Sequence, residues 1–174
     1  QTVVVAGGPK GGARASARLA ETKTPVVLLP SYYIETQAPW PDVVGLVQAG
    51  VSVSLSSHSA ATGLSLDLFR EARLVYGRLA GEVNEPASTT LSMMTRNGAE
   101  ALRQPSGSIE VGREADLMIL QIEPELDEDH ETIAQGILRS GGPNVIRDVM
   151  VGGAWLSRPV PEPAVDLQVR LRAK

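Results

Sequence analysis

Three short apolar runs, separated by two stretches of helical periodicity, constrain the fold of this chain more than any other feature. Each run has about the length of one β-strand, and they cover residues 2–6, 25–29 and 51–55. Continuous Val and Leu runs are typical of parallel strands that are covered on both faces. The stretches between them, 13–22 and 41–49, place their apolar residues on one helical face. The order β-α-β-α-β predicts an α/β fold with a parallel sheet and right-handed crossovers.

The second half of the chain has a different pattern. Two helices are predicted first, one over 66–79 that begins at a capping Ser65 and one over 88–102. Short strands separated by glycines and by the polar stretch 123–140 then predict a small β-layer, not a further βα unit. These strands, and an alternating edge strand near the C-terminus, cover 108–110, 115–122, 145–155 and 165–171. We therefore divide the chain into a βα part, 1–104, and a β-layer with its tail, 105–174.

Composition narrows the class of partner. A net charge of −4 and a pI of about 5.2 give no reason to expect nucleic acid or an anionic membrane as partner. No apolar run reaches the roughly 18 residues that a membrane helix needs, and the first residues lack the features of a signal peptide. The chain has no cysteine, which excludes disulfides and thiolate metal sites. We expect a soluble protein with a small-molecule substrate, and the compartment is not fixed.

Two motifs in the second half resemble a known family. They are NGAEALRQPSGSIEVGREADLMIL at 97–120 and VMVGGAW at 149–155. Together they resemble the C-terminal signature of the metal-dependent amidohydrolases. The glycines after the first run, the PVVL run and the AGV run are similar to the imidazolonepropionase-like branch of that superfamily. LDLF-x-E-x-R at 66–73 and NGAEAL are shared with the aminohydrolase and chlorohydrolase branch.

The resemblance implies the C-terminal part of a (β/α)8 TIM barrel. The three apolar runs would be barrel strands six, seven and eight, followed by strands of a companion β-sandwich. Members of the superfamily hydrolyse C–N bonds in small amides or amidines, many of them cyclic. They bind one or two divalent metals, such as zinc, which activate a water whose proton passes to an Asp after strand eight. Because barrel active sites lie at the carboxyl ends of the strands, the resemblance directs attention to 6–9, 30–33 and 56–59.

The chain departs from the family pattern at the metal-ligand positions. Gly7 or Gly8 stands where the His after strand six would fall, and His58 stands where the Asp after strand eight would fall. One histidine cannot hold zinc, which takes three or four protein ligands. This chain alone therefore supports no metal cofactor, and a divalent metal is expected only in a complete barrel.

Two hypotheses follow from these departures. In the first, the chain is part of a hydrolase whose other ligands lie on a second chain carrying the N-terminal barrel half, or on a copy of itself. In the second, it is a non-catalytic subunit or fragment that keeps the fold and has lost the chemistry. The N-terminus resembles a strand entered in mid-fold, which predicts a fragment, a processed product or one half of a larger protein. Three barrel strands alone would also leave two open sheet edges.

Candidate site residues lie at the predicted strand ends. His58 is the candidate metal ligand or proton carrier, and the alternative is a histidine held by the serines around it. The segment 31–40 is predicted to be a loop at the barrel mouth that lines a substrate pocket, and the alternative is a loop packed on its own rings or an interface. The candidate substrate-binding residues of this loop are Tyr32, Tyr33, Glu35 and Trp40.

Other polar or aromatic features have plainer interpretations. The glycine-rich segment 7–12 could bind phosphate through backbone N–H groups, but its spacing matches no phosphate-binding motif and favours a tight turn. The charged run 127–131 is predicted to be a solvated face. Asp116 is expected to hold the β-layer by a hydrogen bond, and Trp155 is expected to lie in the sandwich core.

Overall fold

The computed structural model describes residues 5–8, 12–59, 65–122 and 129–156. Its first half is a three-stranded parallel sheet of order β1-β2-β3, in which Val26 lies opposite both Val5 and Val53. The strands are β1 (Val5–Ala6), β2 (Val26–Leu28) and β3 (Val53–Leu55). The α/β fold and the parallel order that the apolar runs predict are confirmed. The first part of the first predicted strand, 2–4, lies outside the described residues.

The helices of the βα part follow the predicted order, with one addition. They are α1 (Gly12–Glu21), α2 (Pro30–Glu35) and α3 (Val43–Gln48). The segment 31–40 was expected to be a loop, yet its first half is helical because Pro30 begins α2 with a fixed φ. The Asp42 side chain caps α3 by accepting a hydrogen bond from the Gly45 N–H.

The first helix after the sheet, α4 (Leu68–Leu79), lies close to its predicted position but is capped by a different residue. The side chain of Asp67 accepts hydrogen bonds from the N–H groups of Phe69 and Arg70. The expected cap, Ser65, accepts from the Asp67 N–H instead. The prediction of Ser65 was wrong because Asp67, two residues later, offers a carboxylate at the first helical turn.

The predicted helix over 88–102 is two helices, α5 (Pro86–Met94) and α6 (Arg96–Leu102). They meet at Thr95, whose φ of −121° and ψ of −92° are not helical. The break turns α6 onto the parallel sheet, where the Asn97 side-chain amide donates to the Val53 carbonyl at 2.7 Å. A single straight helix would not bring Asn97 to this strand.

The second sheet is antiparallel, of order β4-β5-β6. Its strands are β4 (Leu117–Leu120), β5 (Ile146–Val151) and β6 (Ala154–Trp155), and a 3₁₀ turn at Pro143–Val145 leads into β5. The Asp116 carboxylate accepts from the Gly152 N–H at 2.7 Å, so it holds the β5–β6 turn as expected.

Two predictions for this half were wrong. Residues 108–110 form no strand, and Trp155 is 40% exposed instead of lying in a core. Ile109 and Val111 are also exposed, so the short run around them has no layer to pack on among the described residues. The predicted edge strand at 165–171 lies outside the described residues.

Helix α7 (His130–Ser140) occupies most of the predicted polar connection. Asp129 caps it by accepting from the Thr132 N–H, and Ala134 and Leu138 bury its inner face. Glu131 was expected to be solvated, but its carboxylate accepts from the N–H groups of Ala87 and Ser88 at the start of α5. The charged run therefore contains two helix caps, although residues 127 and 128 lie outside the described part.

One apolar core joins the parallel sheet to the helices packed on it. Its most deeply buried members come from β2, β3, α3, α4, α5 and α7, among them Val26, Leu28, Val53, Leu46, Val75, Leu79, Met93 and Leu138. Burial of these side chains stabilises each by about 1.5–3 kcal/mol relative to exposure. Within the described ranges no helix is long and apolar enough to cross a membrane.

Candidate functional site

A cleft opens at the carboxyl ends of the parallel strands. It has a volume of about 650 Å³ and is lined by residues that follow β1 and β2. Gly7 and Gly8 form its floor next to β1, and Pro41 and Asp42 lie at the start of α3. The aromatic lining residues are Tyr32, Tyr33 and Trp40. The carboxyl ends of parallel strands are the face on which barrel proteins carry their active sites.

The aromatic side chains form a continuous line of ring contacts. The ring centroids of Tyr33 and Trp40 are 5.0 Å apart, and those of Tyr32 and Tyr33 are 6.3 Å apart at a steep angle of 73°. His58 stacks on Tyr32 with centroids 5.1 Å apart and planes inclined by 20°. At the other end the Arg78 guanidinium carbon lies 3.9 Å from the centre of a Trp40 ring. These pairs are at distances typical of aromatic and cation–π attraction.

Tyr33 is the buried member of this line. Its hydroxyl oxygen accepts from the Leu29 N–H at 3.1 Å, and 3% of its surface is exposed. Burial raises the pKa of Tyr33 above its ordinary 10.0, although the hydrogen bond from Leu29 acts in the opposite direction. Tyr33 therefore stays a neutral phenol near pH 7 and serves as support for its neighbours. Tyr32 and Trp40 are half-buried and present surface to the cleft.

His58 lies after β3 and is exposed. Its φ of +65° places it in the left-handed region, and its N–H donates to the Ser56 hydroxyl at 3.1 Å. Its ring stacks on Tyr32, which lines the cleft, while His58 itself is not a lining residue. Its role as a metal ligand or proton carrier stays a prediction. The other histidine, His130, begins α7, and its Nε2 lies 2.9 Å from the Glu85 carboxylate.

The described residues do not fit a metal centre by themselves. Among them no three His, Cys, Asp or Glu side chains converge as ligands. A β-carbon on Gly8 would lie 2.6 Å from the Pro41 β-carbon, and Gly8 has a φ of +74°. A histidine at Gly8 would therefore require Pro41 to move, whereas a β-carbon on Gly7, the other position at which the family pattern could place the histidine, would meet nothing within 4 Å.

Glu35, the acidic candidate of the cleft, does not line it, whereas Glu71, which was not a candidate, supports one of its walls. Glu35 is exposed at the end of α2 and is not among the residues that line the cleft. Glu71 on α4 is fully buried, and its carboxylate accepts from both the N–H and the hydroxyl of Ser31, directly before Tyr32. Glu71 lies within the motif LDLF-x-E-x-R at 66–73, but the sequence alone assigned it no role. A charged residue four positions before Val75, on the apolar stripe of α4, is the signal that could have revealed it.

The glycine-rich turn remains a turn in its described part. Gly7 and Gly8 have φ values of +87° and +74°, which favour glycine, and Gly12 begins α1. Residues 9–11 lie outside the described part, so phosphate binding at this segment stays untested.

Comparison with known proteins assigns the chain to a family. The sequence profile of the amidohydrolase family matches residues 14–156. The chain belongs to the amidohydrolase family. This confirms the superfamily that the motifs at 97–120 and 149–155 resemble, and it makes the parallel sheet a partial amidohydrolase barrel.

Relatives of this amidohydrolase chain are named as deaminases. It is 32% identical to the 5-methylthioadenosine/S-adenosylhomocysteine deaminase of Haloarcula marismortui, over 89% of this chain and 37% of that protein. It is 37% identical to the 5'-deoxyadenosine deaminase of Methanothermobacter thermautotrophicus, over 59% of this chain and 25% of that protein. The matched part of the chain thus spans 37% of the length of the first relative and 25% of the second.

Solved structures show the same fold. An adenosine deaminase from Xanthomonas campestris with bound zinc matches with a TM-score of 0.77 and 23% identity, over 87% of this chain and 36% of that one. The E241Q mutant of atrazine chlorohydrolase from Arthrobacter aurescens, complexed with zinc and atraton, matches with a TM-score of 0.71 and 23% identity, over 92% and 38%. A divalent metal therefore occurs in the family, while the described part of this chain shows no metal site.

Proposed function

We propose that this chain supplies the ring-binding part of a C–N hydrolase that acts on a planar nitrogen heterocycle of the adenosine type. The observation that carries the proposal is the aromatic cleft at the carboxyl ends of the parallel strands, in a chain of the amidohydrolase family. Half-buried aromatic faces bind heterocyclic bases by stacking, at about 1–3 kcal/mol per base. Tyr32 and Trp40 offer such faces in this cleft.

The names of the relatives guide the choice of substrate class. Those reported above are deaminases of adenosine derivatives, and one solved neighbour is a triazine enzyme in complex with atraton. Their substrates named there are flat, nitrogen-rich rings. These names favour the aminohydrolase and chlorohydrolase branch over the imidazolonepropionase-like branch, whose substrate would be a cyclic amide.

The chemistry is divided between this chain and the rest of a barrel. In the family, a divalent metal supplies an activated water. Because the described residues do not fit a metal centre, we assign to this chain the binding and orientation of the ring and no step at a metal. We propose that the remaining strands, in whichever polypeptide carries them, provide the other ligands. We propose that His58, whose ring stacks on the lining residue Tyr32, is the residue of this chain that holds or passes a proton.

A second candidate is a non-catalytic, amidohydrolase-like subunit. One observation favours it: Gly7 or Gly8 stands where the family pattern places a histidine, and a side chain on Gly8 would meet Pro41. In that case the cleft would bind without cleavage, and the complex would gain stability or assembly from this chain. The two candidates differ in whether His58 affects a chemical rate.

The test is an assay of ammonia release by the protein purified with every polypeptide bound to it. Adenosine and 5'-methylthioadenosine are the probes, an imidazolone tests the cyclic-amide branch, and metal is measured after dialysis. We expect ammonia from the adenosines, a retained metal, and a loss of about 10²- to 10⁴-fold in His58→Ala, as for a general acid–base residue.

His130→Ala is the matched control, because His130 is exposed and lies on α7, outside the cleft lining. It should leave the rate unchanged. A protein that binds the adenosines, releases no ammonia and is indifferent to His58→Ala would establish the non-catalytic candidate. A protein that neither binds nor hydrolyses any of the three probes would refute the proposed ring-binding function.

A further inference from the structure

One buried acid in this structure has no part in the proposed chemistry. The Glu71 side chain is fully buried, and no Lys or Arg pairs with it among the described residues. Burying a carboxyl group without partners is costly, so such groups are held by hydrogen bonds. Glu71 receives two, at 2.7 Å from the Ser31 N–H and at 2.5 Å from the Ser31 hydroxyl.

These bonds replace a cap that α2 lacks locally. Leu29, at the N-cap position, has no side chain that can accept, and Pro30 has no N–H. The N–H of Ser31 is therefore the first donor of the helix, and Glu71 satisfies it from another element. A helix of six residues is too short to be stable alone. The orientation of α2, which carries Tyr32 and Tyr33, depends on this attachment.

The same face of α4 also holds the other wall of the cleft. Arg78 follows Glu71 by seven residues, which is about two helical turns, so both side chains leave α4 on one side. The Arg78 guanidinium lies 3.9 Å from the centre of a Trp40 ring. Trp40 in turn contacts Tyr33 at 5.0 Å between centroids. One face of α4 thus contacts both ends of the aromatic segment: Glu71 binds Ser31 beside Tyr32, and Arg78 stacks on Trp40.

We propose that Glu71 and Arg78 are positioning residues that fix the aromatic walls of the cleft for a flat heteroaromatic ligand. Neither lines the cleft, and each acts through a residue that does. The inference deepens the proposed function and rests on it for the identity of the ligand. The placement of the rings, however, can be measured without any ligand.

The first readout is the environment of Trp40 in the protein with all its bound polypeptides. 5-Fluorotryptophan is incorporated into this chain, which has two tryptophans, and Trp40→Phe assigns the fluorine resonance. In Glu71→Met and in Arg78→Met the Trp40 resonance should move toward the position of free fluorotryptophan. Methionine keeps side-chain volume and removes the acceptors or the cation.

Matched controls separate positioning from stability. Glu131→Met removes a carboxylate that caps α5 through two N–H groups, as Glu71 caps α2, but away from the cleft. Arg70→Met removes an exposed cation of α4. Both should leave the Trp40 resonance at its wild-type position, even where Glu131→Met lowers the free energy of unfolding.

Two milder variants cover the case in which Glu71→Met does not fold. Glu71→Gln can accept from the Ser31 N–H and donate to its hydroxyl, so the Trp40 resonance should return to the wild-type position. Ser31→Ala removes one hydrogen bond and should give an intermediate shift.

The second readout is affinity for adenosine as the probe. Glu71→Met and Arg78→Met should each raise the dissociation constant about tenfold, and the two controls should leave it unchanged. If the wild-type protein does not bind adenosine, the proposed function fails, and the resonance still decides the positioning role. A Trp40 resonance that is unmoved in Glu71→Met and Arg78→Met, or moved equally by the controls, would overturn the inference.

Discussion

Close contact between Gly8 and Pro41 shapes the floor of the cleft. Gly8 combines a left-handed φ of +74° with a distance of 2.6 Å between a built β-carbon and the Pro41 β-carbon. Either feature alone makes a side chain unfavourable, and together they exclude one unless Pro41 moves. Glycine is therefore the residue that fits position 8 without strain or a shift of Pro41.

We predict that Gly8→Ala destabilises the protein by about 1–3 kcal/mol, because it adds strain at positive φ and a clash with a proline ring. Gly77→Ala is the control. Gly77 is exposed inside α4 with nothing within 4 Å of its built β-carbon, so alanine should stabilise by about 1 kcal/mol. Urea unfolding measures both changes. An equal effect at the two positions would contradict the assignment.

At this scale the sequence predicted that the aromatic residues of the segment 31–40 lie at the strand ends, with packing of the segment on its own rings as the alternative to a substrate pocket. Tyr32, Tyr33 and Trp40 follow β2 and come together at the strand ends, as the strand order implies; their binding of substrate stays a prediction. Glu35 was included because it lies in the same segment. The helix that begins at Pro30 places Glu35 at the exposed end of α2. Pro30 is compatible with a helix start, but six residues are too few for a helical periodicity that the sequence could show.

The connection between the sheets is held at helix ends by carboxylates. The N–H and hydroxyl of Thr132 donate to Asp129 and hold its pKa below the ordinary 3.8. Burial raises the pKa of Glu131, but hydrogen bonds from Ser88 and Ala87 outweigh it, and the pKa lies below the ordinary 4.5. Both groups have lower pKa values folded than unfolded.

The folded state therefore gains stability from their ionised forms. That contribution is complete above the ordinary values and is lost as the pH falls through the lowered folded values. We predict that the attachment of α7 to α5 weakens below about pH 4, and that Glu131→Gln removes part of this dependence. Urea unfolding from about pH 6 to pH 3 measures it. Parallel pH curves for wild type and Glu131→Gln would refute the assignment.

The break at Thr95 gives α6 a contact that a continuous helix would lack. Asn97 donates to the Val53 carbonyl at 2.7 Å. We predict that Asn97→Ala costs about 1 kcal/mol through the lost hydrogen bond, and that Asn97→Asp costs more, since it sets a carboxylate against a carbonyl oxygen. The free energy of unfolding from urea titration distinguishes them. An aspartate variant as stable as the alanine variant would contradict this role for the amide.

Elements were predicted well where periodicity is strong and poorly where tertiary contacts decide. The apolar runs located β2 and β3 because continuous Val and Leu residues suit a sheet covered on both faces. The polar composition of 123–140 concealed α7, although a capping acid followed by apolar residues at helical spacing was present. The turn of α6 at Thr95 serves a contact with β3, which no local signal encodes.

At the scale of the whole molecule, the unpaired edge of β3 shows where a further barrel strand would join the described sheet. The carbonyl of Ser52 and the N–H of Ser56 bond to β2, so by strand alternation Val53 and Leu55 direct their backbone groups to the other side. Asn97 reaches one of these groups, the Val53 carbonyl. A closed barrel would pair this edge with a further strand.

We predict that the Leu55 amide exchanges slowly with solvent only when the remaining barrel strands are bound. The Ser54 amide, on the same strand but facing β2, is the internal control and should be protected in the chain alone as well. Hydrogen exchange followed by NMR measures both amides. A Leu55 amide that exchanges equally fast in the assembly would show that no strand pairs there.

The parallel order of the larger sheet could be predicted at this scale, and the environment of the smaller sheet could not. Trp155 is expected in the sandwich core, yet 40% of it is exposed. A sequence pattern shows that a face is apolar, but it does not show which layer covers that face. The division at residues 104 and 105 stays a prediction.

The residues that line the cleft come from one stretch of chain, between Ala6 and Asp42. If the cleft binds a ring as proposed, that recognition is encoded by two consecutive βα units. In an amidohydrolase of the proposed kind, substitutions here would alter which heterocycle is accepted while leaving the metal ligands on other strands untouched. Selection could therefore change the substrate range of such a protein, or preserve binding after cleavage is lost, by altering one short and contiguous segment.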